Sequence, residues 1–145
     1  MELSCKTEYA LLALLELAGN YKKGGLLQIK HIAEMQNIPD RYLEQLLATL
    51  RRCGLVRSQR GAKGGYLLAR EPWTISLLDV IWCLEGSESK VSKSEQKSTT
   101  VEGTVVEEIW QEVQDRANDV LREYTLQDLC EKRNSRRQLD IMYYI

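Results

Sequence analysis

The sequence lacks any long hydrophobic run. No stretch of its 145 residues approaches the roughly 20 apolar residues that a membrane-spanning helix needs. Its first residues, MELSCKTEYALL, also lack the basic-then-apolar order of a secretory signal peptide. We therefore expect a protein that has no membrane contact and works in the cytoplasm.

Metal-binding spacings and catalytic sets are missing as well. The four cysteines, Cys5, Cys53, Cys83 and Cys130, include no C-x-x-C pair, which argues against a zinc ribbon or finger. In a reducing compartment we expect four free thiols, with Cys53 and Cys83 packed as small hydrophobic side chains. The sequence contains a single histidine and has neither a Ser/His/Asp set nor a nucleotide-binding loop, so we expect no enzymatic activity.

Positive charge is concentrated in one segment. Residues 41–70 hold seven basic side chains and one acidic one, a formal charge of +6, whereas the whole chain carries −1 and the other residues therefore −7. A segregated basic patch of this kind is the footprint of a nucleic-acid site. The seven cations are Arg41, Arg51, Arg52, Arg57, Arg60, Lys63 and Arg70.

The same segment has the pattern of a helix followed by a β-hairpin. Leucines at i, i+3, i+4 and i+7 predict one apolar helical face. Pro39 suits the first turn of this helix, and Gly54 suits the left-handed residue just past its end. The runs LVRSQR and YLLAR, joined by GAKGG, then predict two strands and a turn. The leucines are Leu43, Leu46, Leu47 and Leu50.

Another helix, predicted over about residues 28–36, precedes this one with only Asn37 and Ile38 between them. Two helices joined so tightly, the second polar and basic on its outer face, indicate a helix-turn-helix. With the hairpin as a wing, the fold class is mainly α with a small β-hairpin: a winged helix-turn-helix DNA-binding domain over residues 1–85.

The rest of the chain divides into a loop and a long helix. Ser76 and Asp79 form a capping box for a helix that ends near Gly86, and the Ser-, Glu- and Lys-rich residues 86–103 read as a flexible loop. Thr104 and Glu107 form a second capping box, which predicts a helix over 104–124.

Apolar residues recur every three or four positions along this long helix, which predicts a dimer interface because DNA-binding helices usually work in symmetric pairs. Thr125 and Asp128 cap one more short helix through Cys130, and the tail is left unassigned, so residues 104–145 are the dimerisation helix and C-terminal segment. The predicted interface residues are Val105, Ile109, Val113, Ala117, Val120, Leu121 and Tyr124.

The order of elements and several strings resemble the Rrf2 family of IscR-like bacterial transcriptional regulators. The similar stretches are LSCKTEYALLALLELA, IAEMQNIPDRYLEQLLATLRRCGLVRSQRGAKGGYLLAR and ISLLDVIWCLEG. The resemblance implies a homodimer on a double-stranded, two-fold-related operator, with the helix after Pro39 in the major groove and the wing at the minor groove or phosphates. The residues implied to bind DNA are Pro39, Arg41, Tyr42, Glu44, Gln45, Arg51, Arg60, Lys63 and Tyr66.

The chain departs from the family at the cofactor. Many relatives hold a 2Fe–2S cluster through three cysteines in the loop before the long helix, but residues 86–103 contain none, and Glu107 stands where a histidine ligand is usual. Glu8 matches a carboxylate ligand of some relatives, yet a carboxylate without thiolates is no iron–sulphur site. We therefore expect no cofactor, and an effector protein or small molecule as the signal.

Two other functions stay open at this point. An iron–sulphur or thiol redox sensor of the same fold would use the cysteines, with a cluster assembled across the dimer from Glu8, Cys5, Cys53, Cys83 or Cys130. A protein-binding adaptor would use the winged domain to bind an acidic partner.

Overall fold

The computed structural model describes residues 3–24, 26–92 and 99–143. Within these ranges it is mainly helical with one two-stranded antiparallel sheet, as the sequence predicts. No helix in them is both long and apolar enough to cross a membrane. The elements are α1 (Cys5–Gly19), α2 (Ile29–Gln36), α3 (Asp40–Arg52), β1 (Val56–Gln59), β2 (Gly65–Leu68), α4 (Leu77–Ser92), α5 (Val101–Glu123) and α6 (Leu126–Tyr143), with short 3-10 turns at Tyr21–Lys23 and Pro72–Thr74.

The first helix, α1, is the centre of the core. Ser4 caps it by accepting a hydrogen bond from the Thr7 amide at 3.2 Å. Four of its apolar side chains are completely buried, and α2, α3, α4 and α6 all pack against it. The buried four are Ala10, Ala13, Leu14 and Leu17.

The leucine face predicted for α3 is confirmed, since all four leucines lie in the same buried cluster as the α1 residues. Gly54 has φ +79°, the left-handed conformation expected after the helix end. Pro39 differs slightly from its predicted place: it has extended backbone (φ −58°, ψ 132°) and directly precedes the first turn, which begins at Asp40.

The predicted helix ends on either side of the 86–103 loop are wrong. Helix α4 does not end near Gly86 but continues to Ser92, because one interior glycine costs a helix only about 1 kcal/mol. The next helix begins at Val101, capped by Thr100, whose Oγ1 accepts from the Gly103 amide at 3.1 Å; the predicted Thr104 cap is therefore wrong. The predicted loop shrinks accordingly, and residues 93–98 of it lie outside the described residues.

The C-terminal helix α6 is longer than predicted and returns to the winged domain. Thr125 and Asp128 form the predicted capping box, with N···O distances of 2.9 and 3.2 Å. The helix continues to Tyr143, through a tail whose mostly exposed side chains leave no apolar period to recognise. A backbone hydrogen bond of 3.0 Å from Leu126 to Ile75 joins its start to the segment before α4, and Leu126 is fully buried.

The expectation of four free thiols is wrong for one pair. Cys53, directly after α3, and Cys83, within α4, form a disulfide with Cα atoms 6.0 Å apart. Cys53 is exposed and Cys83 half-buried, so the expected burial is also wrong for Cys53. Packing of α3 on α4 brings together two cysteines that are 30 positions apart in the sequence. Cys5 is free and exposed, and Cys130 is free and buried.

We predict that Leu126→Ala lowers the free energy of unfolding by about 2–5 kcal/mol, measured by urea denaturation, because it leaves a cavity where α6 meets the core. Met35→Ala is the control: Met35 is 54% exposed, so the change should stay within about 0.5 kcal/mol. Equal effects of the two substitutions would show that α6 is not part of the domain core.

Candidate nucleic-acid interface

A tight turn sets α2 against α3. Asn37 adopts the left-handed conformation (φ 54°, ψ 50°) that ends α2, and asparagine tolerates this conformation better than most residues. Ile38 is buried, and its amide donates to the Ala33 carbonyl at 3.0 Å. The turn therefore holds the two helices in the helix-turn-helix arrangement that the sequence predicts.

The outer face of α3 is polar and exposed. Burial of the leucine face turns Arg41, Glu44 and Gln45 to solvent near the start of the helix. Thr49, one turn further on, donates its hydroxyl hydrogen to the backbone carbonyl of Gln45 at 3.0 Å. The side-chain amide of Gln45 takes no part in that bond. Three of the predicted DNA-contacting residues are thus together on one accessible surface.

Tyr42 has a different environment. It is half-buried, and its ring packs edge-on against Tyr9 of α1 with centroids 5.5 Å apart. The ring therefore helps to seat α3 on α1. The sequence alone does not reveal this packing role, because Tyr9 lies more than 30 positions away.

The wing is fixed to the helix-turn-helix by several hydrogen bonds. Its strands pair from Val56↔Leu68 to Gln59↔Gly65. Arg51, at the end of α3, donates from Nη1 to Ser58 Oγ at 3.1 Å. On the other side, the half-buried Tyr66 exchanges backbone hydrogen bonds of 2.7 and 2.8 Å with Leu27, just before α2. The wing is consequently held beside α3.

The wing glycines have a structural role that the sequence did not indicate. A Cβ on Gly64 would lie 2.3 Å from the Gln59 carbonyl oxygen, and one on Gly65 would lie 2.4 Å from the Leu27 carbonyl oxygen. Because glycine has no Cβ, neighbouring backbone segments can approach closely at these two positions.

Most of the basic patch carries uncompensated charge. All seven of its cations are exposed, and in the described part of the chain no salt bridge joins six of them to another residue. The exception is Arg70, which lies 3.7 Å from Asp79 and also donates to the Thr74 carbonyl. The six are Arg41, Arg51, Arg52, Arg57, Arg60 and Lys63.

Two grooves border the exposed polar face of α3. One follows α3 and includes Gln45, Arg51 and Arg52 together with Lys6 of α1. The other lies between the wing and α2 and includes Arg51, Arg60 and Gln28. Lys6 and Gln28 were not predicted, because only tertiary packing brings them beside α3 and the wing.

A second surface lies on α5, where no side chain is buried. Most of the predicted dimerisation residues are exposed there, while Ala117 and Leu121 are half-buried. Trp110, which is 53% exposed, widens the apolar stripe. The exposed members are Val105, Ile109, Val113, Val120 and Tyr124.

The cysteines do not fit an iron–sulphur cluster. Among the described residues there is no group of three or more His, Cys, Asp or Glu side chains placed to hold a metal. Two thiols are joined to each other, and Cys130, on α6, is buried against α1. Burial raises the pKa of the Cys130 thiol, and the nearby Arg133 acts in the opposite direction. Within the described part of one chain, the four cysteines do not come together around a point that a cluster could occupy.

Comparisons with known proteins agree with this geometry. Residues 3–132 match the model of the Rrf2 family, described as an iron-dependent transcriptional regulator. The HTH-type transcriptional regulator CymR of Bacillus subtilis is 38% identical over 145 residues, which cover all of both chains. Its solved structure superposes with a TM-score of 0.77 at 37% identity, covering 91% of this chain and 98% of that one. The structure of T. potens IscR gives a TM-score of 0.75 at 38% identity, with 91% and 88% covered.

We predict that Arg60→Ala weakens DNA binding and reduces the slope of log affinity against log salt by about one unit, as expected for the loss of one phosphate contact. Fluorescence anisotropy at several salt concentrations measures both quantities. Arg122→Ala is the control, because it removes an exposed, ion-paired charge from the side of α5 opposite the apolar stripe. If the two substitutions changed affinity and slope equally, Arg60 would make no direct contact with a DNA phosphate.

Proposed function

The chain belongs to the Rrf2 family of transcriptional regulators, and we propose that it binds a two-fold-related DNA operator as a homodimer in the bacterial cytoplasm. Regulators of this family bind DNA and are not enzymes, so those two expectations are confirmed. The observation that carries the proposal is the exposed polar face of α3, flanked by unpaired cations on the wing.

We propose that α3 reads bases and that the wing contacts phosphates or the minor groove. Gln45 and Arg41 have the donors and acceptors that pair with adenine and guanine in the major groove, and Glu44 can accept from cytosine. Arg60 and Lys63, at the ends of the wing turn, supply positive charge for DNA phosphates or for the minor groove. Arg51 contacts the wing through Ser58, so we assign it to positioning the wing as well as to phosphate binding.

The α5 stripe supports a symmetric dimer. From Val105 to Tyr124 the helix extends about 28 Å at 1.5 Å per residue, with apolar side chains exposed along that length. An exposed apolar face of this extent marks an interaction site. Pairing two copies along α5 would bury the stripe. A dimeric reader of successive major grooves needs its two α3 helices roughly 34 Å apart.

We propose that this regulator functions without a cluster, because its thiols do not form the required ligand set. The signal then comes from an effector protein, a small molecule or thiol chemistry. Anaerobic purification followed by assays for iron and acid-labile sulphide tests this proposal. Near-stoichiometric iron and sulphide, lost on replacing the cysteines by alanine, would overturn it.

Selection of bound duplexes from a random DNA pool tests the proposed function directly. A two-fold-related consensus supports it, and binding that depends on salt but not on DNA sequence would contradict it. The protein-binding adaptor predicts no consensus at all.

We predict that Gln45→Ala relaxes the preference at one position of each half-site, with about 1–3 kcal/mol less discrimination, because a bidentate contact to one base is lost. Binding to a panel of operators with single substitutions measures this effect. Arg57→Ala, on the exposed side of β1, is the matched control and should weaken all operators alike. If Gln45→Ala weakened binding to all operators equally, Gln45 would contact the DNA backbone and not a base.

We predict that Ile109→Glu combined with Val113→Glu yields a monomer that binds the operator weakly, since the pair would bury unpaired charge in the dimer. Sedimentation measures the oligomeric state. Gln111→Glu with Arg122→Gln gives the same change in net charge on the opposite side of α5, and this control should remain dimeric. A monomeric control, or a dimeric double-Glu variant, would exclude the proposed interface.

A further inference from the structure

The disulfide joins the DNA-reading helix to the rest of the molecule. Cys53 is the first residue after α3, and Cys83 belongs to α4, which also packs against α1 and α5. The Cα separation of 6.0 Å falls within the range of ordinary disulfides, so the two helices need no displacement to form the bond. Strand β1 of the wing begins three residues after Cys53. The bond therefore fixes the junction between the recognition helix and the wing.

The surroundings of the two sulphurs suit a bond that opens and closes. Cys83 Sγ lies 3.6 Å from the Thr49 carbonyl oxygen, and Cys53 Sγ lies 3.8 Å from the Cys83 carbonyl oxygen. Each thiol of a reduced pair, which is a weak donor, would thus have a carbonyl acceptor already in place. Exposure of Cys53 gives oxidants and reductants access to the bond. Disulfides in a reducing cytoplasm are usually transient, and exposed ones are the labile kind.

We propose that Cys53 and Cys83 form a reversible thiol–disulfide site whose closure raises operator affinity. The affinity part rests on the proposed function. A closed bond holds the end of α3 and the start of the wing in the arrangement described above, so less conformational freedom is lost when DNA binds. The other cysteines do not offer this chemistry: Cys130 is buried, and Cys5 is not part of a pair.

The oxidant class is a hydroperoxide. The Cys53 thiolate attacks the peroxide; an S–O bond forms, the O–O bond breaks, and the departing oxygen leaves as water or an alcohol after taking a proton. The resulting Cys53 sulphenic acid is attacked by the Cys83 thiolate, so that the S–S bond forms, the S–O bond breaks and water leaves. Two thiols thereby give two electrons to one peroxide. A dithiol reductant reverses the change by thiol–disulfide exchange.

Peptide mapping tests the site itself on the full-length protein. After treatment with hydrogen peroxide or with a phosphine reductant, free thiols are alkylated and the protein is digested with trypsin. We expect a linked pair of peptides, residues 53–57 and 71–90, in the oxidised sample and its loss on reduction. Oxidation without this linked pair would overturn the proposal.

Operator affinity and thermal stability test the consequence of the bond. The oxidised wild type should bind selected operator DNA at least about threefold more tightly than the reduced form, and its Tm should be about 5–10 °C higher. Cys53→Ser and Cys83→Ser should each abolish both differences, whereas Cys5→Ser should keep them. The wild-type comparison needs no variant, so a variant that fails to fold does not remove the test.

The outcomes separate the two proposals. Equal or weaker affinity of the oxidised form would overturn the switch even if the linked peptides form. Absence of sequence-specific DNA binding in both redox states would instead reject the proposed function and the affinity claim, while the peptide result would still decide whether the thiol site exists.

Discussion

Burial of the α3 leucine face against α1 is the constraint on which the rest of the structure depends. Each fully buried leucine contributes about 1.5–3 kcal/mol, and four of them at helical spacing leave one stable rotation of α3 about its own axis. That rotation determines which side chains face solvent. Arg41, Glu44 and Gln45 are exposed because the opposite side of the same helix must be buried, so the stabilising interaction also orients the recognition surface.

The wing illustrates a second constraint, which comes from the backbone. Gly64 and Gly65 allow close backbone contacts within the wing and with Leu27, and the hydrogen bond between Arg51 and Ser58 joins the hairpin to α3. A hairpin of two short strands is marginally stable alone. Support from both sides gives its cations a defined position relative to α3. Their attraction to DNA phosphates can fix the register of a protein on DNA only if the cations are held in such a position.

Local patterns predicted the features whose causes are local. The leucine spacing, the left-handed Gly54 and the capping boxes at Ser76 and Thr125 each depend on residues within one or two turns. The predicted start of α5 was wrong because the true cap, Thr100, is not part of a capping box. The residue three positions after Thr100 is glycine and not an acidic residue. Lys6 could not be predicted beside α3, since only the packing of α1 brings it there.

The cysteines show how far tertiary structure can change the chemistry that a composition suggests. From the sequence alone, each of four thiols spread along a chain could bind a metal, form a disulfide or be buried. Only the packing of the helices decides between these outcomes. Packing of α3 on α4 joins two of them. Packing of α6 on α1 buries a third and thereby raises its pKa, and the fourth stays exposed on α1. A cluster needs several thiolates around one point, whereas a disulfide needs only two. The fold therefore favours two-electron thiol chemistry at the end of the recognition helix, where a change in one bond acts directly on the residues proposed to contact DNA.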